Sequence, residues 1–178
     1  MFNKILIANR GEIAIRIIRA CREMGIKTLA VYSEADREAL HTRFADGAIC
    51  IGPAKSKDSY LNITSLISAM EVADAEAVHP GYGFLAENSG FAEACEKCGI
   101  KFIGPRSSVM RRVGNKIQAK KIAEEIRVPV LQWSNRALSS EKEALEVSKA
   151  IGFPVLIKAA SGGGGAAVAS SRLPSMYR

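Results

Sequence analysis

Several signatures that would fix a function at once are missing from this sequence. No stretch comes near the eighteen or so consecutive apolar residues of a bilayer-spanning helix. The opening "MFNKILIANRGE" lacks an apolar h-region and a small-residue cleavage site, so it is not read as a secretory signal, and a cytoplasmic chain is expected. Of the four cysteines, Cys95 and Cys98 form one CxxC pair in "ACEKCG", with no second pair or paired histidines to complete a zinc site. Cys21, Cys50, Cys95 and Cys98 are therefore expected to be structural. Aromatic residues make up 6% of the chain and do not interleave with its scattered lysines and arginines, as base stacking requires. The net charge of +7 suits an anionic small ligand, and no nucleic-acid partner is expected.

Two phosphate-binding fingerprints are also absent. The strand-to-helix turn "ANRGEIAIRI" carries only Gly11 where a dinucleotide site needs GxGxxG. Glu34 or Asp36 follows the next strand as a ribose-binding acid would, but acids are common in such loops, and no nicotinamide or flavin site is expected. The P-loop pattern GxxxxGK[ST] does not occur; in "VLIKAASGGGG" the lysine precedes the glycines.

What is present is a regular alternation. "KILIA" (4–8), "KTLAVYS" (27–33), "AICI" (48–51), "AEAVHP" (75–80) and "KFIGP" (101–105) read as strands. Between them lie helical patterns: Ile13, Ile17, Ala20, Cys21 and Met24 before Gly25, a short polar helix at 35–44, and longer ones at 60–73 and 87–99. Strict alternation predicts a parallel sheet covered on both faces, with ligand-binding loops at the strands' carboxyl ends. "ANRGE", "YSEAD", "HPGYGF" and "IGPRS" then share one rim. Beyond residue 105 the spacing predicts a helix from about 107 to 126, a strand at 128–133, a helix at 139–152 capped by Ser139 or Ser140, and a strand at 154–159. Two strands and two helices are too few to bury a core of their own.

Two motifs draw attention to themselves. "HPGYGF" (79–84) is a rigid loop at a strand end, with glycines that permit unusual backbone angles. Lys116 at a helix start and Lys158 at a strand end can hold phosphate oxygens while glycine N–H groups close over them. A solvated charge for either lysine, and a flexible linker for the glycines, remain alternatives at this level.

Taken together, "KILIANRGEIAIRIIRACREMGIKTLAVYSEADREALHTRFAD", "CIGP", "SYLNI", "AVHPGYGFLAEN", "FIGP", "GNK" and "GFPVLIKAASGGGG" resemble the N-terminal part of biotin carboxylase, within the ATP-grasp superfamily. That module occurs in acetyl-CoA, propionyl-CoA and pyruvate carboxylases. The resemblance implies an α/β, Rossmann-like open parallel sheet over 1–106, the start of an ATP-grasp domain over 107–165, and an irregular tail at 166–178. It implies an ATP-dependent ligase that converts bicarbonate to carboxyphosphate and carboxylates biotin on a carrier domain, with Mg2+ assisting. Carried over by position, Lys116 and Lys158 contact ATP, Gly162, Gly163, Gly164 and Gly165 form half of a flap over its phosphates, and Tyr82 and Gly83 lie beside biotin. Arg16, Arg19 and Glu23 match a symmetric dimer interface.

The departures are as informative. The family usually has an aspartate in "GDK" where this chain has Asn115, and the match is expected to end between Gly165 and Ala166, before "AAVASSRLPSMYR". A shifted reading frame followed by a chance stop would produce such a break. By this reading the chain is truncated and lacks the Mg2+ ligands, the base for bicarbonate and the arginine that faces biotin, so it carries no catalytic or metal-binding residue of its own. The alternative is a non-catalytic module that pairs with itself or with a full-length carboxylase subunit.

Overall fold

The structure is a computed structural model that describes residues 1–158 and 168–171. It divides into two compact units, Met1–Met110 and Arg111–Arg178. The division thus falls four residues later than the sequence pattern suggested. Ser107 and Met110 are buried, and Met110 joins the core of the first unit, so the helix start at 107 belongs there.

The first unit is a five-stranded parallel sheet: β1 (Lys4–Ile7), β2 (Lys27–Ser33), β3 (Gly47–Gly52), β4 (Ala77–His79) and β5 (Lys101–Phe102), in the order β3-β2-β1-β4-β5. β1 reads as an unbroken apolar run because both faces are covered. Leu6, with Val78 of β4, faces a cluster containing Leu66, Met70, Phe91 and Cys95, from α3 (Ile63–Val72) and α4 (Ser89–Lys97). Ile5, Ile7 and Ala77 face the opposite cluster, built on α1 (Gly11–Glu23). There Ala14, Ile17, Ile18 and Cys21 form the i, i+3, i+4, i+7 stripe of an amphipathic helix. Arg16, Arg19 and Glu23 lie on its exposed side.

Helix ends feed the strands by one repeated device. After α1, the Gly25 N–H donates to Arg22 O and the Ile26 N–H to Cys21 O, with Gly25 at φ +71°. The same pair of bonds closes α4 at Gly99 and Ile100, and α3 at Asp74 and Ala75. These are Schellman turns, which satisfy orphan carbonyls and turn the chain back under the sheet. At Asp74 (φ 51°) an ordinary residue accepts the left-handed conformation.

Two predicted helices shrink. The polar segment 35–44 splits into a 3-10 turn at Glu34–Asp36 and α2 (Leu40–Phe44), because Asp36 is drawn into the contacts described below. The predicted 60–73 helix starts only at Ile63, where the Asn62 side chain caps it by accepting from the Ser65 N–H.

The segment expected to form one helix over 107–126 is two: α5 (Ser107–Val113) and α6 (Lys116–Glu125). Gly114-Asn115 breaks it, and Asn115 Oδ1 accepts from the Ile117 and Gln118 N–H groups at 2.9 and 3.2 Å. The predicted strand at 128–133 is absent. Arg127 (φ 61°) ends α6, Pro129 has no N–H to donate, and Trp133 is tied back by its indole N–H to Glu124 at 2.7 Å. The Lys120 ammonium lies 5.2 Å from the same ring.

Further on, α7 (Glu141–Ile151) is capped by Ser140, and β6 (Val155–Lys158) pairs antiparallel with β7 (Val168–Ser171). β7 corrects, for residues 168–171, the expectation of an irregular tail. Its pairing rests on backbone bonds to β6, which require no alternation of side chains. Among the described residues of the second unit only Ser148 is buried, while Leu131, Leu145, Leu156 and Ile157 are exposed. Among the described residues no helix is long and apolar enough to cross a membrane.

Both histidines sit in the first unit, and burial pushes both imidazoles below their ordinary value. His41 Nε2–H donates to Val31 O at 3.1 Å, and His79 Nδ1 accepts the Gly81 N–H at 3.0 Å. Because the folded state prefers both rings neutral, their contribution is present above pH ~6.5 and lost as pH falls through the depressed values. Urea unfolding at pH 7.5 and pH 5 should give a lower midpoint at pH 5, with a slope of at most ~1.4 kcal/mol per pH unit for each ring. Equal midpoints would contradict it.

Candidate functional site

The strand order reverses between β1 and β4, and the loops that follow these strands diverge there. Such a switch point is where parallel α/β sheets take ligands. Four loops meet on this rim. Arg10 follows β1, Ser33 and Asp36 close β2, Tyr60 lies beyond β3, and Phe84 lies beyond β4.

Asp36 is the hub. Its Oδ2 accepts from Tyr60 OH at 2.8 Å and Ser33 Oγ at 2.9 Å, and Arg10 Nη1 reaches it at 3.3 Å. Burial raises the Asp36 carboxyl, but the bonds from Tyr60 and Ser33 and the Arg10 charge outweigh it and hold the group below the usual carboxylate range. Tyr60 is buried, accepts the Ser33 N–H at 3.1 Å, and is pushed well above an ordinary phenol, first by burial. Its ring stacks on Phe84 with centroids 5.0 Å apart, and the Arg10 guanidinium lies 5.6 Å from the Tyr60 centroid and 5.8 Å from that of Phe84. Asp36 is therefore committed within the rim, which leaves it unsuited to the ribose-binding role considered above.

The 79–84 loop is also tied from below. Asn9, 4% exposed, donates through Nδ2 to Pro80 O at 2.7 Å and Tyr82 O at 2.8 Å. Gly81 has φ +63°, and a Cβ there would lie 2.9 Å from Asn9 Nδ2, so both conformation and space require glycine. Tyr82 is exposed, and its hydroxyl donates to Glu12 Oε1, in the first turn of α1, at 2.6 Å. That bond holds the phenol above its ordinary value.

Of the residues singled out from sequence, the structure puts Tyr82 and Gly83 on this rim, both exposed. Lys116 is the first residue of α6 and Lys158 the last of β6, both in the second unit. The Lys158 side chain and Gly162–Gly165 lie outside the described residues. Asn9, Glu12 and Tyr60 were not singled out beforehand. The one available signal was Asn9-Arg10 lying between a strand and Gly11.

The cysteines divide. Cys21 and Cys95 are buried, whereas Cys50 and Cys98 are exposed, so burial fits the structural role expected of all four only for the first two. Burial pushes the Cys95 thiol up to about 12, so Cys95 offers no ready thiolate. Among the described residues no three His, Cys, Asp or Glu side chains gather to hold a metal ion. At the opposite edge of the sheet, an open groove of about 560 Å³ is lined in part by Lys4, Lys27 and Asp46. Lys4 Nζ is spent on Ala73 O and Asp46 on Thr28.

The biotin carboxylase N-terminal domain model matches residues 1–110, the whole of the first unit. The chain belongs to the biotin carboxylase N-terminal domain family. The model of the carbamoyl-phosphate synthase L chain ATP binding domain follows over residues 115–172. That match continues past Gly165, where the sequence pattern was expected to stop. Biotin carboxylase 1 of Bacillus subtilis is 51% identical over 172 residues, covering 97% of this chain and 38% of the relative. A pyruvate carboxylase subunit of Methanothermobacter thermautotrophicus is 55% identical over 165 residues, covering 93% of this chain and 34% of the relative. Among solved structures, the biotin carboxylase domain dimer of Hydrogenobacter thermophilus 2-oxoglutarate carboxylase, in complex with MgADP, ADP and bicarbonate, superposes with TM-score 0.89 at 46% identity. It covers 97% of this chain and 38% of that one. The chain thus spans little more than a third of the length of these relatives.

If the rim is held through Asp36, removing one hydroxyl should be felt. Tyr60→Phe leaves a carboxylate oxygen and the Ser33 N–H short of a partner and should cost ~1–3 kcal/mol in urea unfolding. A change within about ±0.5 kcal/mol, the ordinary scatter of surface substitutions, would mean that the clamp carries little.

Proposed function

We propose that this chain forms the N-terminal scaffold and the opening part of the ATP-binding domain of a biotin carboxylase. In that reaction ATP phosphorylates bicarbonate, and the activated carboxyl group passes to N1 of biotin on a carrier domain. The observation that carries the reading is the succession of the two family matches along one chain, at 1–110 and 115–172.

Within this reading each residue binds or orients. Lys116 and Lys158 neutralise phosphate oxygens of ATP, and Gly162 to Gly165 close over them with backbone N–H groups. Tyr82 and Gly83 present a fixed edge to the biotin ring, and fixing a reactant replaces an entropic cost at the moment of reaction. Arg16, Arg19 and Glu23 pair α1 with its copy or with a carboxylase subunit. The uncovered Leu145, Leu156 and Ile157 support a second unit that works together with further polypeptide. The cytoplasm is the fitting compartment for such a ligase. The exposed charged side of α1 equally favours a second reading, a non-catalytic pairing module.

Two preparations decide the main reading. The 178 residues alone should release no ADP in a bicarbonate-dependent way. Fused to the part of the B. subtilis relative beyond the match, they should turn over ATP with bicarbonate and biotin, and Lys116→Ala should lower kcat/KM by ~10²-fold or more. A folded fusion without turnover, or turnover by the isolated chain, would overturn it. Loss of the dimer mass on Arg19→Glu would test the α1 pairing separately.

A further inference from the structure

Asn9 is a buried carboxamide with both of its donors engaged. Its two N–H donors go to the Pro80 and Tyr82 carbonyls, and Oδ1 accepts the Arg10 N–H at 2.9 Å. The two carbonyls bracket Gly81, whose missing Cβ allows the approach. Within the loop itself, the Gly81 N–H is bonded to the His79 ring and the Ala86 N–H to Gly83 O at 2.8 Å. Tyr82's ring is held from outside by Glu12, and Phe84 by its stack on Tyr60. Side-chain ties hold the loop's two aromatic rings; the backbone between Pro80 and Tyr82 is held by Asn9.

We propose that Asn9 is the positioning residue of the 79–84 loop, setting from beneath where the Tyr82 and Gly83 backbone stands on the rim. It touches no reacting atom. Its effect passes through two carbonyls, and it links β1 to the loop after β4 across the point where the strand order reverses. The assignment of a biotin-type ureido ring as the group met by that edge rests on the function proposed above; the positioning itself does not.

Asn9→Asp tests this with little change of shape: the Arg10 bond is retained and both donors are lost. Backbone amide exchange, read by NMR on the 178-residue chain, should speed up about tenfold or more at Gly81 and Ala86. Ile26 and Ile103, whose N–H groups are bonded elsewhere in the unit, should be unchanged. Glu12→Ala is the contrast: it frees the Tyr82 phenol while Gly81 and Ala86 keep their protection. Unchanged exchange at Gly81 and Ala86 in Asn9→Asp would overturn the proposal, as would the same acceleration in Glu12→Ala. Should Asn9→Asp unfold the whole unit, Gly81→Ala forces the same pair apart from the loop side and is read in the same way. Free biotin is the separate probe. Shifts at Gly83 in the wild-type chain that vanish in Asn9→Asp extend the positioning role to the ligand. Shifts that persist undiminished in Asn9→Asp contradict it. No response in wild type counts against the functional reading alone, since the exchange data decide the positioning.

Discussion

The carboxylate of Asp36 gathers groups from three connections that the parallel sheet delivers to one edge: Arg10 after β1, Ser33 at the end of β2, and Tyr60 beyond β3. Phe84, from the fourth, stacks on Tyr60 and so joins the cluster without a hydrogen bond of its own. Loops on such a rim have no neighbouring strand to satisfy their polar groups, and a shared acceptor is one way to supply them. Partial burial strengthens each bond and makes a missing one costly. The charge on Asp36 is balanced by the Arg10 guanidinium, which also lies over both rings. The sheet therefore sets the position of the rim, and Asp36 sets its shape.

The second unit depends on something else. The first unit buries two apolar clusters, one on each face of its sheet. The described part of the second buries only Ser148, and β6 leaves Leu156 and Ile157 exposed on a two-stranded sheet. An isolated pair of strands is marginal in water, because it orders backbone without covering apolar area. Local devices do what they can. Asn115 and Ser140 cap their helices, Glu143 accepts from the Ser139 N–H and Oγ and pairs with Arg136, and Trp133 is fastened to α6. Each is worth on the order of 1 kcal/mol, far short of a core. The chain's coverage of about a third of its relatives agrees with this imbalance.

Much of the first unit was legible in the sequence, since the burial that shapes it leaves a period. β1, β2 and α1 stand where the apolar runs put them, because strands covered on both faces must be apolar throughout. Legibility fell where packing gave way to single polar contacts. Asp36 stopped a predicted helix, and Asn115 split another, each through one side chain that carries no period. The 128–133 segment has a strand's composition, yet Arg127 and Trp133 bind it to a helix instead. β7 was missed because its short segment shows no alternation along the sequence, while the structure pairs it antiparallel with β6. At the site, Tyr82 and Gly83 stood out through their glycine-rich loop, whereas Asn9 did not. A buried asparagine acts through partners about seventy residues away, and spacing along the chain cannot encode them.

Asn115 brings the local and functional arguments together. The resemblance drawn from the sequence sets an aspartate before the lysine, and the structure shows what Asn115 does there: its side-chain oxygen receives the first free N–H groups of α6. Asparagine and aspartate cap about equally well, so the substitution leaves the helix start intact. What differs is charge. A carboxylate at a helix N-terminus gains ~0.3–1 kcal/mol from the macrodipole, and it would also stand next to Lys116. Asparagine gives up that small gain and adds no negative charge beside a lysine proposed to meet phosphate. The residue is thus fixed in type by the cap and free in charge, which is why a departure from the family pattern here disturbs neither the backbone nor the placement of Lys116 as the first residue of α6.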